Sequence, residues 1–467
     1  MPNRIDRRHF IQVGAAAGVG FASWAAARTG TVQTVEVWHE EARDVPVVED
    51  IDVVVCGGGP AGVAAAIAAA RLGAKTRLIE VNGCLGGMWT AGLLSWILDS
   101  GNKGGIMREI ITRLEARRAV ARYGGSVGYD VEAMKLLLET MCAEAGVKFR
   151  LHTRIAAAGV DKGNRLRVAV TESKSGREAW RAKMFVDCTG DGDLATMAGC
   201  TFAEGRPGTG VVQPMSMMAL LTGLVPKEVA FFVRGLAEPL GESNPKARLL
   251  EEMKRAGVSP SYAQPTLFCI RDHLFCLATN HEYGVKAHEA EGTTLATCNA
   301  RAEIHRIVDA LVRLGGCWKD MHIIATPEHI GVREGRRIRG IYEVSTDDLI
   351  NGAEHDDAVC RVTFPVDVHS TDPTKDKGIM REGVRAKPYD VPYRALIAVD
   401  VKGLLLAGRC ISGDFVAHSS YRVTGNAAAM GEAAGTAAAL ASMGNRSPES
   451  LPWGEISDAM KKHNAVQ

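Results

Sequence analysis

Val53-Val54-Val55-Cys56-Gly57-Gly58-Gly59-Pro60-Ala61-Gly62 is the stretch that decides how the chain is read. A β-branched run after Asp52 stops at three glycines, and an alanine-rich stretch with few polar side chains then continues to Gly73. That order predicts a strand, a tight turn and a helix. Gly57, Gly59 and Gly62 form G-x-G-x-x-G, and each has a mechanical task. Gly57 permits the turn, Gly59 lets a pyrophosphate approach the backbone, and Gly62 lets helix and strand pack closely. Pro60 and Ala61 open the helix, whose first N–H groups present partial positive charge to phosphates.

The flanking sequence supports this. Ala74-Lys75-Thr76-Arg77-Leu78-Ile79-Glu80 reads as a second strand ending in an acid. Glu80 falls about 20 residues beyond the glycines, where a carboxylate reaches the two ribose hydroxyls of an adenosine. A negative charge there disfavours a 2′-phosphate, so FAD or NAD fits better than NADP. The following loop, Asn82 to Gly92, contains Gly86-Gly87-Met88 and carries few charges, so its backbone can lie against a flat ligand.

Whole-chain totals exclude several classes. With 467 residues there is room for two or three packed regions. A formal net charge of +1, with no basic or acidic tail, gives no reason to expect nucleic acid or an anionic membrane surface as partner. The eleven cysteines contain no C-x-x-C, so no metal site is expected. Cys56, Cys188 and Cys410 sit in apolar strand ends and read as buried, inert thiols. A disulfide among the others stays open, because spacing cannot assign one.

The N-terminus has an address of its own. Asp6-Arg7-Arg8-His9-Phe10 precedes a weakly apolar run ending Ala25-Ala26-Ala27, the layout of a secretory signal. Its paired arginines resemble a twin-arginine leader, which implies export of a folded, cofactor-loaded protein to the periplasm or an equivalent extracytoplasmic space. The apolar run is short and broken by glycines, so no stable membrane span is expected.

Two later segments repeat the strand-glycine-helix pattern. Met184 to Asp193 includes Asp187-Cys188-Thr189-Gly190-Asp191 and returns the chain to the first sheet. Gly403 to Asn426 includes Gly408-Arg409, Asp414, and His418-Ser419-Ser420-Tyr421-Arg422-Val423-Thr424-Gly425-Asn426. A small-residue helix then begins near Thr424 and aims its N–H groups at whatever lies ahead, suited to the negative edge of a reduced flavin. Between these segments, residues 201–345 have a different texture: Met215–Leu224 and Leu267–Asn280 read as strands, and Thr293–Leu314 as one long amphipathic helix. Five histidines fall there, His273, His281, His288, His305 and His322, and each reads more readily as structural than catalytic.

Taken together, Val53–Gly62 with Glu80, Leu85–Met88, Val186–Asp193, Gly331–Ile338 and Val391–Arg394 running on to Gly435 resemble the FAD-dependent oxidoreductases of the glutathione-reductase-type flavin fold. Within that group the chain is similar to proteins related to the flavoprotein A subunit of heterodisulfide reductase. The resemblance implies an α/β fold: a Rossmann-like FAD-binding domain, three layers about a mostly parallel sheet, with an inserted α+β substrate or cap domain. The expected division is a leader at 1–27, a linker at 28–50, the FAD-binding domain at 51–200 and 346–467, and the cap at 201–345. Gly57, Gly59, Pro60, Ala61, Gly62, Glu80, Gly86, Gly87, Met88, Thr189, Gly190, Asp191, Gly408, Arg409, Asp414, Thr424, Gly425 and Asn426 are then expected to bind FAD.

A second likeness, to the fumarate reductase and succinate dehydrogenase flavoproteins, rests on His418, Arg422, Gly425 and Asn426. It implies that Arg422 meets an anionic or polar substrate group near the flavin. The chain departs from that pattern between His418 and Arg422 and at Arg409, where that group has glutamate. The expected chemistry is hydride transfer between a small polar substrate and FAD, with His418 or Tyr421 handling the proton. For Arg422 an ion pair with Asp414 or Glu432 is the plain alternative, and for His418 a ribityl or backbone hydrogen bond. Arg333, Arg336 and Arg337 read as ion-pair scaffolding. Two other functions stay open: an electron-transfer subunit working with a redox partner, and a flavin-free binding protein.

Overall fold

The structure is a computed structural model that describes residues 37–123, 126–236 and 244–465. The leader expected at 1–27, and much of the expected linker, lie outside them. The first strand, β1 (Val47–Cys56), starts inside that linker.

The central sheet has seven strands: β1, β2 (Thr76–Ile79), β3 (Lys148–Arg150), β4 (Arg154–Val160), β5 (Leu166–Ser173), β6 (Gly176–Asp187) and β11 (Leu404–Leu406). β1 lies between β2 and β6, parallel to both, and β3 extends the sheet beyond β2. Val53, Val54 and Val55 are fully buried, which explains a continuous apolar run where a half-exposed strand would alternate.

The long strand β6 serves two partners along one edge. Its first half pairs antiparallel with β5, which pairs in turn with β4. Its last residues, Phe185–Asp187, pair parallel with β11. The final return of the chain therefore docks beside the first strand–turn–helix unit, although more than 330 residues of sequence separate them.

That docking is tight because two helices carry almost no side-chain bulk. α1 (Pro60–Arg71) packs against α5 (Thr424–Gly444). A Cβ on Gly431 would sit 2.0 Å from the Ala61 carbonyl oxygen, and one on Gly435 would sit 2.0 Å from that of Ala65. Only hydrogen fits at either place.

A second hydrophobic core lies within residues 215–330. β7 (Met218–Thr222), β8 (Thr266–Arg271), β9 (Leu274–Ala278) and β10 (His322–Ala325) form an antiparallel sheet in the order β8-β9-β7-β10. The 25-residue helix α3 (Ala290–Leu314) contributes Ala300, Ile304 and Leu311 to the same core as Leu221, Phe275 and Trp318. The apolar segment expected as one strand from Leu267 to Asn280 is a hairpin, turning at Asp272 with φ 43°.

Several helices were not foreseen, and one of them borders the expected site. α4 (Phe415–Tyr421) precedes α5, capped by Asp414, and the chain breaks at Val423 before α5 starts. None of the eleven cysteines, all of them among the described residues, forms a disulfide, and Cys56, Cys188 and Cys410 are buried. Among the described residues, no helix is long and apolar enough to cross a membrane.

Gly435→Val should force α1 and α5 apart and cost about 3 kcal/mol, seen as a lower denaturant midpoint at unchanged m-value. Gly454→Ala, whose Cβ would meet nothing within 4 Å, should leave the midpoint unchanged or slightly higher. Equal midpoints for both variants would show that the crossing is not tight.

Candidate active site

The glycine turn behaves as its spacing predicts. Gly57 has φ 96°, and a Cβ on it would collide with the Cys188 carbonyl oxygen at 2.4 Å. At Gly62 a Cβ would meet the Gly57 carbonyl oxygen at 1.7 Å, whereas at Gly59 it would meet nothing within 4 Å. Gly57 and Gly62 therefore serve packing, and Gly59 faces open space where a phosphate can approach. No side chain caps the start of α1 or of α5, and neither helix has an acid in its first turn. Both leave N–H groups and partial positive charge for a ligand.

Glu80 is buried at the end of β2. Its Oε2 accepts from the Gly58 N–H at 2.5 Å, and its Oε1 accepts from the backbone and side chain of Asn82 at 2.8 and 2.7 Å. Burial raises its pKa, against the pull of those hydrogen bonds. A carboxylate has about four acceptor positions, so Glu80 can hold the turn and still accept from a ribose. The Gly86-Gly87-Met88 loop lies on this turn. The Gly86 N–H donates to the Gly58 carbonyl at 2.7 Å, and a Cβ on Gly87 would be 3.0 Å from the Gly59 Cα.

The two later glycine segments converge here. The Cys188 N–H donates to the Cys56 carbonyl at 2.7 Å. Thr189 donates to Asp187 at 2.7 Å and accepts from the Asp193 N–H at 2.8 Å, so it fastens the turn. Asp191 pairs with Arg409 at 2.6 Å, and a Cβ on Gly190 would lie 2.9 Å from the Arg409 guanidinium. Gly408 has φ 86°, and a Cβ on it would be 3.2 Å from the Ala61 Cβ. The 403–435 segment thus touches the 57–62 turn directly.

Asn426, in the first turn of α5, is fully buried, yet neither its amide nitrogen nor its amide oxygen has a partner. A buried amide with no hydrogen bond is costly, and a ligand edge carrying both a donor and an acceptor would satisfy it. FAD fits this set: Gly59 to Gly62 for the pyrophosphate, Glu80 for the ribose, and Asn426 with the α5 N-terminus for the flavin ring.

Other expected residues are committed to the chain itself. Both oxygens of Asp414 are taken, one by the Ala417 N–H at 2.7 Å and the other by the backbone and hydroxyl of Thr346 at 2.5 and 2.7 Å. The Gly425 N–H donates to the Leu98 carbonyl at 3.1 Å. The Tyr421 hydroxyl donates to the Ile411 carbonyl at 3.1 Å from a fully buried position, and burial pushes its pKa far up. It is placed to fix the 411–421 loop, not to exchange protons. His418 stacks edge-on against Tyr421, as helix neighbours three apart can, and its Nε2 lies 3.2 Å from the Arg409 carbonyl. That is the backbone bond foreseen as its alternative; its Nδ1 has no partner.

Arg422 pairs with neither Asp414 nor Glu432. Its Nη2 lies 3.5 Å from the Asp367 carboxylate and donates to the Asp367 carbonyl at 2.8 Å and to Gln213 Oε1 at 3.3 Å. Glu432 instead caps the helix at 105–116, accepting from the Ile106 N–H at 3.0 Å. Arg336 and Arg337 are scaffold as expected, Arg337 with the nearby Glu334 and Arg336 with the more distant Asp193.

Arg333 is different. It donates to the Pro214 carbonyl and to Ser216 Oγ, each at 2.7 Å. Among the described residues no carboxylate lies within ion-pair distance. Burial, and then the neighbouring Arg422, lower its pKa to about 10.

Around the two arginines is a buried polar cluster that the sequence reading did not assemble. His281 Nε2 lies 2.8 Å from His369 Nδ1, His369 Nε2 lies 3.4 Å from Asp367, and Tyr262 stacks over His281 with ring centres 4.3 Å apart. Burial and then Arg333 depress the pKa of both histidines, that of His369 to about 3, so both rings are neutral. Burial alone would raise Asp367, but its contact with His369 and the charges of Arg422 and Arg333 hold it below the usual carboxylate range. The sequence did offer one signal. Val366-Asp367-Val368-His369 alternates apolar and polar, which puts Asp367 and His369 on one face of an extended segment. The cluster adjoins the cofactor turn through Ser216, which pairs with Gly331, and through the Met88 methyl, 3.1 Å from where a Gly331 Cβ would be.

Dihydrolipoyl dehydrogenase of Trypanosoma brucei brucei is 56% identical over 45 residues, 10% of this chain and 9% of that protein. Dihydrolipoyl dehydrogenase 2 of Arabidopsis thaliana mitochondria is 62% identical over 39 residues, 8% of each. The chain thus aligns with about a tenth of the length of these curated relatives. Among solved structures, a geranylgeranyl bacteriochlorophyll reductase-like protein of Thermoplasma acidophilum is similar at 15% identity, covering 90% of this chain and 83% of that one with a TM-score of 0.40. p-Nitrophenol 4-monooxygenase of Pseudomonas putida is similar at 11% identity, covering 90% and 84% with a TM-score of 0.41. The family model described as FAD dependent oxidoreductase matches residues 52–460. The chain belongs to that family.

Proposed function

We propose that this FAD-dependent oxidoreductase exchanges a hydride with a small polar metabolite, and that it does so outside the cytoplasm after twin-arginine export. The observation that carries the substrate half is the buried cluster of Arg333, Arg422, Asp367, His369 and His281 adjoining the cofactor turn. Solvated scaffold charges do not need such burial, and a site that orients a polar molecule does. Bound FAD supplies the two-electron chemistry.

The chain supplies position and proton handling. Arg422 is held by Asp367 and Gln213 in one orientation. Its flanking segment leads within two residues into α5, so it orients a substrate group beside the α5 N-terminus. The His281–His369 pair, neutral at rest with Asp367 behind it, relays the proton that accompanies hydride exchange; His418 and Tyr421 fix the loop that presents Arg422. The sheet β7–β10 and α3 form the substrate-side lid. A soluble redox partner is the proposed electron acceptor.

Two measurements check this. Asn426→Leu removes a buried amide without partners, so the apoprotein should be as stable as the parent or about 1 kcal/mol more stable, while FAD affinity falls. A loss of apoprotein stability would mark Asn426 as structural. Anaerobic mixing with a panel of small hydroxy and amino compounds should bleach the flavin, and His369→Gln should slow bleaching about 100-fold with FAD still bound. Bleaching by a reduced partner protein alone, with no small molecule active, would overturn the substrate proposal.

A further inference from the structure

The polar atoms left over in this cluster have one character. Arg422 Nε and Gln213 Nε2 are buried without partners, although Arg422 and Gln213 bond to each other through Arg422 Nη2 and Gln213 Oε1 at 3.3 Å. Gln213 is 1% exposed and the Arg422 side chain 10%. The Asn280 amide nitrogen is also buried and unpartnered. Asn280 is tied to Arg333 through Ser216, whose hydroxyl donates to the Asn280 carbonyl at 2.5 Å and accepts from Arg333 at 2.7 Å. Every one of these leftover atoms is an N–H donor.

The acceptors on Gln213, Asn280 and Glu334 are already used. Gln213 Oε1 takes Arg422 and the His369 N–H, Asn280 Oδ1 takes the Met217 N–H at 2.8 Å, and Glu334 takes the Gln213 N–H and Arg337. The charge count has the same sign. Arg333 and Arg422 face one carboxylate, Asp367, while Arg337 and Glu334 neutralise each other. The two facing histidines are neutral.

We infer that Gln213, Arg333 and Arg422 form a carboxylate-binding subsite, so that the substrate is a small organic acid. A planar oxyanion brings acceptors and one negative charge, which is what the leftover donors and the surplus cation require. An alcohol or amide brings a donor of its own and leaves the charge uncompensated. The inference rests on the proposed substrate reading and narrows it.

Its test is equilibrium binding to the FAD-loaded protein, by calorimetry and by perturbation of the flavin spectrum, using acetate, glycolate, lactate and benzoate. Their primary amides and inorganic phosphate are the comparison arms. Saturable binding of the acids is expected, with the amides and phosphate at least 10-fold weaker. Arg333→Met and Gln213→Leu should each weaken acid binding roughly 10- to 100-fold. Gln213→Glu keeps the two bonds accepted by Gln213 Oε1 and places a carboxylate among the donors. It should fold and retain FAD, and acid binding should be lost.

Acids and amides binding alike, phosphate preferred over every acid, no acid binding at all, or undiminished binding in Gln213→Glu would each overturn the subsite. Flavin bleaching by an uncharged metabolite, with no acid bound, would remove the subsite and leave the oxidoreductase reading intact. Acid binding that responds to all three variants, with no small molecule bleaching the flavin, would do the reverse.

Discussion

The architecture depends on how closely α1 and α5 approach. Carbonyl oxygens of Ala61 and Ala65 occupy the places where side chains of Gly431 and Gly435 would otherwise start. Contact at this distance requires glycine on one helix and alanine on the other, and it yields dense packing with little side-chain entropy to lose. It also fixes where the last quarter of the chain must lie. β11 pairs with the end of β6, Gly408 rests on Ala61, and α5 starts at Thr424, seven residues ahead of its Gly431 contact with Ala61.

The site follows from that constraint. Two long-range returns, after β6 and after β11, deliver Asp191 and Arg409 to the same place, where they pair. The α4–α5 break at Val423 places Arg422 just ahead of the α5 N-terminus. Segments at 213–216, 280–281 and 333 bring their donors to Arg422 from the other side. A polar cluster this deeply buried is expensive unless its bonds are made. Here most are made within the protein, and those that are not share one chemical character.

Much of the nucleotide half was legible in the sequence because backbone mechanics wrote it there. Glycines at 57, 59 and 62 are dictated by φ, by approach distance and by packing, all local effects that leave a fixed spacing. The place of Glu80 at the end of β2, against the turn, was legible from the same spacing, while its hold on a ribose belongs to the proposal. Asp414 misled because an acid before a helix serves as well for a cap as for a ligand, and α4, which needed that cap, is only seven residues long. Tyr421 misled because spacing puts it beside His418 without saying which way the ring turns. The cluster of Gln213, His281, Arg333, Asp367 and His369 was out of reach for another reason. Its members come from four separate segments, and only the tertiary fold makes them neighbours. The alternation at 366–369 hinted at a shared face for two of them and at nothing about the rest.

The central claim is that distant parts of one chain close around a single FAD between the α1 and α5 N-termini. A crystal structure of the FAD-loaded protein tests it most directly. The account predicts pyrophosphate density against Gly59, Pro60 and Ala61, ribose hydroxyls on Glu80, and a flavin ring edge bonded to the Asn426 amide, with Arg333 and Arg422 facing the ring. Density for the ring on another face of the sheet, or an Asn426 amide still without a partner once FAD is bound, would contradict it.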